Sequence, residues 1–286
     1  MKTPGLQELL SVAIEAAYLG GRRTLAYFNA DVAVKTKADH TPVTQADHES
    51  EKIIRNRIAR SFPHHAIIGE EGGATRGHVS YRWIIDPLDG TQTFIRGVPL
   101  YGVLVGVVVK GKPSVGVIYL PVQDELVAAA DGLGCHWNGR PARVSTIATL
   151  KEATLLTTNS TMAMKRSDAY ERLAARTRLQ RTWGDCYGYA LVATGRAEIM
   201  LDPSLNLWDC APLPPILREA GGCFTNWAGE STIRGGDGVA TNGVLHSEVV
   251  SILKDEKHKA RDCLTDGVCC GSKAKMGASH DIKIPG

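Results

Sequence analysis

Three apolar runs of strand length, joined by short turns, constrain the fold of this chain most. Leu100 to Val109 is a long β-type run, Gly111-Lys112-Pro113 is a turn, and Ser114 to Leu120 comes back as a second strand. Glu125 to Ala130 reads as a third pass. A meander of this kind makes part of the sheet antiparallel. Upstream, Tyr81 to Asp86 is a strand that runs directly into Pro87-Leu88-Asp89-Gly90-Thr91. His65 to Ile68 is a shorter strand that ends at Gly69-Glu70-Glu71-Gly72-Gly73. Helical spacing of Leu6, Leu9, Leu10, Ala13, Ala17 and Leu25 predicts a helix over residues 6–28. A second helix, from Asp47 to about Arg60, buries Ile54 and Ile58.

The second half alternates strand and helix. Strands are expected at Ala153–Thr158, Leu179–Trp183, Ala197–Leu201, Cys223–Trp227 and Gly238–Thr241. Helices are expected at Ser167–Arg176, at Asp185–Thr194 with Gly195 closing it, at Trp208–Ala220 with Gly221-Gly222 closing it, and at Val244–Lys254. Pro212, Pro214 and Pro215 strain the third of these, because only a first turn accommodates proline, so a kink or irregular start is expected there. Beyond Asp255 the periodicity dissolves, and residues 256–286 are expected to be a flexible tail. Residues 1–255 then make one domain, with halves of about 1–145 and 146–255.

Composition narrows the classes. The 286 residues can bury a large core, and the net charge of +3 is spread along the chain. No basic tract is interleaved with aromatics, which argues against nucleic acid. No apolar run approaches the roughly 20 residues that span a bilayer, and the amphipathic N-terminus lacks a secretory pattern. The seven cysteines are irregularly spaced, as reduced thiols of a cytoplasmic protein would be.

The chemistry concentrates in Asp86-Pro87-Leu88-Asp89-Gly90-Thr91. Two acids three residues apart close an apolar strand, where ligand sites of α/β sheets gather. Pro87 fixes the turn, Gly90 lets backbone approach a ligand, and Thr91 can begin a helix whose N–H groups meet an anion. Alone, the motif could equally be a plain turn. Glu70 at the end of another strand and Asp209 at a helix start change that balance. Converging carboxylates repel and hold their protons unless cations sit among them. The donors Glu70, Asp86, Asp89, Asp209 and the Leu88 carbonyl are all oxygen, which suits magnesium or manganese.

Taken in order, Thr44-Gln45-Ala46-Asp47, Gly69-Glu70-Glu71, Asp86-Pro87-Leu88-Asp89-Gly90-Thr91, Trp208-Asp209 and Ala220-Gly221-Gly222 resemble the inositol monophosphatase family over residues 6–253. The resemblance implies an α+β fold, a layered αβαβα sandwich of the inositol monophosphatase and fructose-bisphosphatase type, with the site between its halves. It implies two or three Mg2+ ions (Mn2+ being possible) and a homodimer. Glu70, Asp86 and the Leu88 carbonyl would hold a first metal. Asp86 would bridge to a second, held also by Asp89 and Asp209. Gly90 and Thr91 would bind phosphate oxygens through backbone N–H groups. Asp47 and the Thr91 hydroxyl would orient the attacking water, with Glu70 counted beside them as catalytic.

Trp183-Gly184-Asp185-Cys186-Tyr187 and Phe224-Thr225-Asn226-Trp227 resemble the family's histidinol-phosphate phosphatase branch. That implies histidinol phosphate as substrate and a place in histidine biosynthesis, with an inositol-1-monophosphatase or other sugar-phosphate phosphatase as the alternative and a non-catalytic binding relative as a remote one. Asp185, Asp202 and Asp209 are then the acids that face substrate. Asp185 has a plainer alternative as a helix cap, and Tyr187 and Tyr189 as core. Lys35 and Lys37 either steer phosphate or line a solvated loop, His64-His65 either binds metal or is a surface pair, and Arg96 either touches substrate or sits at the surface.

Overall fold

The computed structural model describes residues 4–30, 33–37 and 42–255. The chain enters through helix α1 (Leu6–Thr24), followed by two-residue strands β1 (Lys35–Thr36) and β2 (Pro42–Val43) and by helix α2 (Gln45–Ser61). Thr44 caps α2 reciprocally with Asp47, which starts the helix two residues earlier than its apolar spacing suggests. Strands β3 (His65–Gly69), β4 (Gly73–Ala74) and the twelve-residue β5 (His78–Asp89) come next, then the single-turn α3 (Thr91–Phe94). The meander follows as β6 (Gly102–Val109), β7 (Lys112–Leu120) and β8 (Glu125–Ala130), extended by β9 (Gly134–Trp137) and β10 (Arg140–Pro141). These last two were not visible in the sequence, being short and poor in β-branched residues.

These eight strands form one sheet in the order β10-β9-β8-β7-β6-β5-β3-β4, antiparallel except where β3 runs parallel to β5. The second half supplies β11 (Thr154–Leu156), α4 (Ser160–Arg166), α5 (Ala169–Ala174), β12 (Leu179–Arg181), α6 (Asp185–Ala193), β13 (Ile199–Asp202), α7 (Leu207–Cys210), α8 (Leu213–Ala220), β14 (Cys223–Thr225), β15 (Gly238–Thr241) and α9 (His246–Lys254). Its sheet runs β12-β11-β13-β15-β14 and is mixed.

Alternation along the strands sorts side chains into layers. Val103, Val105, Val107, Val117 and Tyr119 pack under α1 and α2, with Leu9, Ala13, Ala17, Ile54 and Ile58. From the opposite face, Leu104, Ile118 and Leu120 meet Tyr189 and Val192 of α6 and Ile216 and Leu217 of α8. Met200, Phe224 and Ala240 of the smaller sheet close the same cluster. Its other face, through Leu155, Ile199, Leu201 and Val239, packs on Ala163, Leu173, Val249 and Leu253. The order is helix, sheet, helix, sheet, helix, the five layers that the family resemblance implies.

The helix expected over Trp208–Ala220 is two helices. Proline at 212 has no N–H for the ladder, so α7 ends at Cys210 and α8 restarts with prolines in its first turn. The joint lies directly on the large sheet. Gly106 pairs with Gly116 across β6 and β7, and a Cβ on either would stand 2.8 Å from Ala211 or 2.0 Å from the Pro212 carbonyl oxygen. Two glycines thereby let the end of α7, within one turn of Asp209, come down against the large sheet.

The helix expected at Ser167–Arg176 is α5, and a separate short helix, α4, precedes it where none was expected. His65 is sandwiched between Phe62 and Tyr81, each ring 4.6 Å away, and its Nδ1 accepts from the Trp83 indole at 3.0 Å, so it is a packed aromatic partner. Cys135, Cys186, Cys210 and Cys223 are free thiols. No helix among the described residues is long and apolar enough to cross a membrane. The expected tail, 256–286, lies outside the described residues.

Candidate active site

Strand β5 delivers the central acid. Asp86 is 2% exposed, and its Oδ1 accepts the Leu88 N–H at 3.0 Å. Pairing with β6 shifts register between Asp86 and Asp89, a bulge at Pro87-Leu88, before Asp89 rejoins the ladder opposite Gly102. Gly90 follows with φ of 87°, a left-handed conformation that glycine adopts without strain, and it caps α3. The Leu88 side chain is buried with Ala46, Phe94 and Tyr101, and its carbonyl oxygen accepts the Thr91 hydroxyl at 3.1 Å.

Helix α7 brings the third acid. Asp209 accepts the Asn206 N–H at 2.6 Å, a cap that fixes its rotamer. Carboxylate oxygens of Asp86, Asp89 and Asp209 come within 4.8 Å of one another. Burial and mutual repulsion raise the pKa of Asp86 and Asp89 well above the usual carboxylate range. Burial raises Asp209 to about 6, against the pull of the Asn206 N–H. Three oxygen donors that cannot all ionise comfortably unless a cation joins them are suited to a hard divalent metal.

Glu70 enters from the end of β3 and lines the same cleft. Its Oε1 receives the Lys37 ammonium at 2.6 Å, and Lys37 also bonds Glu71 at 2.5 Å. Burial works against the Lys37 charge, yet the two carboxylates outweigh it and raise its pKa. Lys37 is thus an internal cation of this acidic site rather than a solvated loop residue. Lys35 is exposed.

Helix α2 holds the parts together from behind. Asp47 is 1% exposed and takes two hydrogen bonds from Thr44; its other oxygen lies 3.4 Å from the Thr91 hydroxyl. Its pKa is raised by burial, with the Thr44 bonds opposing. One turn on, Ser50 donates to the Pro87 carbonyl at 2.9 Å. Glu51, 2% exposed, accepts the N–H groups of Glu71 and Gly72, each at 2.8 Å, and is bound by Arg55. One helix face therefore sets Thr91, the β5 turn and the turn that presents Glu70. Sequence reasoning missed Ser50 and Glu51, although their spacing from Asp47 puts all three on one face.

Helix α6 forms the far wall. Gly184, not Asp185, is its cap, and no side chain caps it. Asp185 adopts φ of 51°, unusual outside glycine, while its N–H donates to the Thr158 hydroxyl at 2.7 Å. Its carboxylate faces the cleft and accepts from Thr93 at 3.3 Å; burial raises its pKa. The next N–H, of Cys186, donates to Asp89. Trp208 and Arg96 line the rim.

The resulting cleft holds about 500 Å³ and gathers Glu70, Asp86, Leu88, Asp89, Gly90, Thr91, Asp185 and Asp209. Asp202 is placed differently. It is 1% exposed, accepts the Thr158 N–H at 2.9 Å and the Tyr189 hydroxyl at 3.0 Å, and lines a small side cavity that shares Asp89, Asp185 and Asp209 with the cleft. Burial pushes its pKa up to about 7, with the Thr158 bonds opposing. Tyr189 is accordingly core, packed on Phe224.

A layered αβαβα sandwich with an all-oxygen acid cluster beside a short helix start defines a metal-dependent phosphatase architecture. The chain belongs to the inositol monophosphatase family, which it matches over residues 5–258, and it is a phosphoric monoester hydrolase. It is 40% identical to a histidinol-phosphatase of Chlorobaculum parvum over 255 residues, 88% of this chain and 97% of that protein. It is 38% identical to a histidinol-phosphatase of Mycobacterium tuberculosis, over 85% of this chain and 97% of that one. Among solved structures, an extragenic suppressor protein suhB from Bartonella henselae superposes with a TM-score of 0.81 at 29% identity, covering 87% of this chain and 99% of that one.

Proposed function

We propose that this phosphatase hydrolyses L-histidinol phosphate to L-histidinol and phosphate in a magnesium-dependent reaction. The observation that carries the substrate is Asp185, a carboxylate whose strained start of α6 turns it into the cleft opposite the Gly90 turn, where an ammonium or imidazolium would need an acid. The two histidinol-phosphatase relatives support the same choice.

In this reading Glu70, Asp86, Asp89, Asp209 and the Leu88 carbonyl hold two or three Mg2+ ions. Bound there, the metal neutralises the phosphate dianion, lowers the pKa of water and stabilises the leaving alkoxide. The chain does the rest. Gly90 and Thr91 offer backbone N–H groups to phosphate oxygens. With the Thr91 hydroxyl proton turned from the Leu88 carbonyl to Asp47, 3.4 Å away, the Thr91 oxygen is free to accept from the attacking water and hold it in line with the ester bond. Asp209 closes the leaving-group side, and Asp185 binds the cationic end of the substrate. Asp202 acts beneath them, fixing Thr158 and through it the start of α6. The reading extends to a cytoplasmic homodimer.

The test compares kcat/KM for histidinol phosphate and inositol 1-phosphate with Mg2+. Histidinol phosphate is expected to win at least tenfold, and Asp185→Asn to reduce that ratio by about tenfold, the worth of one charge-assisted hydrogen bond. A preference for the inositol ester would sink the substrate assignment while leaving the phosphatase class untouched.

A further inference from the structure

Away from the cleft, a second concavity of about 410 Å³ opens on the same face of the large sheet. Arg82, Ile84 and Asp86 alternate along β5 and so project to one side. Arg82 and Asp86 are four positions apart, about 13 Å along a strand, so the two sites are distinct. Ile84, Val108 and Ile233 belong to an apolar cluster with Ile68 and Ala211, and these three side chains form the groove's floor.

The rim is cationic. Arg82, Lys112, Arg218 and Arg234 line the groove, and no carboxylate does. Lys112 and Arg218 share one acid, Asp131, which stands outside the lining. Arg82 and Arg234 pair with no acid among the described residues, and the buried Arg82 Nε has no hydrogen-bond partner among them. A guanidinium nitrogen buried without an acceptor is costly, and proteins keep few such groups without a ligand or function to satisfy them. Ser231 and Thr232 add hydroxyls.

The geometry points to a binding site for a small amphipathic anion, with an apolar body on the Ile84, Val108 and Ile233 floor and a carboxylate, sulfonate or phosphate head on Arg82 and Arg234. Planar guanidinium groups suit such heads because they donate in pairs. An apolar floor with convergent polar groups is the usual make-up of a small-molecule pocket. The site is independent of the hydrolytic reading, since none of its residues lines the catalytic cleft.

The probe is 8-anilinonaphthalene-1-sulfonate, an apolar body with one anionic head, titrated by fluorescence against the full chain. Arg82→Met and Arg234→Glu are each expected to weaken its binding at least fivefold. Asp131→Asn, which frees Arg218 and Lys112, is expected to tighten it about threefold. Arg234 is exposed and carries no ion pair among the described residues, so its variant keeps the fold if Arg82→Met does not. The uncharged N-phenyl-1-naphthylamine should respond to none of the three. Unchanged affinity for the sulfonate in Arg234→Glu and Asp131→Asn, or an equal change for the uncharged dye, overturns the site.

Discussion

One strand face carries opposite chemistry at its two ends. At the Asp86 end of β5 the acids crowd, and all three members of the cluster have raised pKa values. At the Arg82 end the cations crowd, with a single acid shared between two of them. Ile84 sits between, packed with Val108 and Ala211. Both ends are destabilising as isolated arrangements, because like charges gathered in a partly buried place repel. The lesson is that folding energy comes from the apolar middle, while each end stores a charge imbalance that a ligand of opposite sign relieves.

The largest effect is expected from Asp86→Asn. Turnover with Mg2+ is expected to fall at least about 10³-fold, as for loss of a central electrostatic group. Metal-free protein should meanwhile melt a few degrees higher, because one member of a repelling cluster is gone. Kinetics and thermal denaturation in chelator read both; a variant that loses stability as well as activity would show that Asp86 serves the fold.

Glu51→Gln tests the support behind the acidic end. It removes a carboxylate that holds the Glu71 and Gly72 N–H groups. Magnesium affinity by calorimetry is expected to drop about tenfold, the usual scale for a group that orients a ligand. Turnover at saturating magnesium should change far less. Equal magnesium affinity would assign Glu51 to packing alone.

Asp202→Asn sharpens the difference between an acid in the cleft and one beneath it. The pKa of Asp202 rises from 3.8 to about 7 on folding. An acid that holds its proton more tightly when folded contributes most stability below pH 4, and that contribution is lost as pH rises to about 7. Wild type should therefore weaken across pH 4–7 more steeply than the asparagine variant. Parallel melting curves would show that Asp202 does not carry that slope. At the basic end, Arg234→Glu should leave turnover and stability within about 0.5 kcal/mol of wild type. A large loss there would join the two ends into one site.

Much of this was legible in the sequence because it is local. The meander, the Gly-Glu-Glu end of β3 and the Asp-Pro-Leu-Asp-Gly-Thr turn follow from alternation and from proline and glycine at fixed places. The acids Glu70, Asp86, Asp89 and Asp209 could be named for the same reason, since each ends a strand or begins a helix. The remaining contacts are pairwise and distant, and form only when the layers pack. Lys37 pairing with Glu70 and Glu71, Glu51 clasping the turn after β3, and Asp202 sinking beneath the cleft join residues separated by about twenty positions or more, or join a side chain to backbone in another layer. Periodicity within one element tells which face is buried, but not what that face will meet. That depended on how closely the layers could approach, which here turned on two glycines under the Ala211–Pro212 joint.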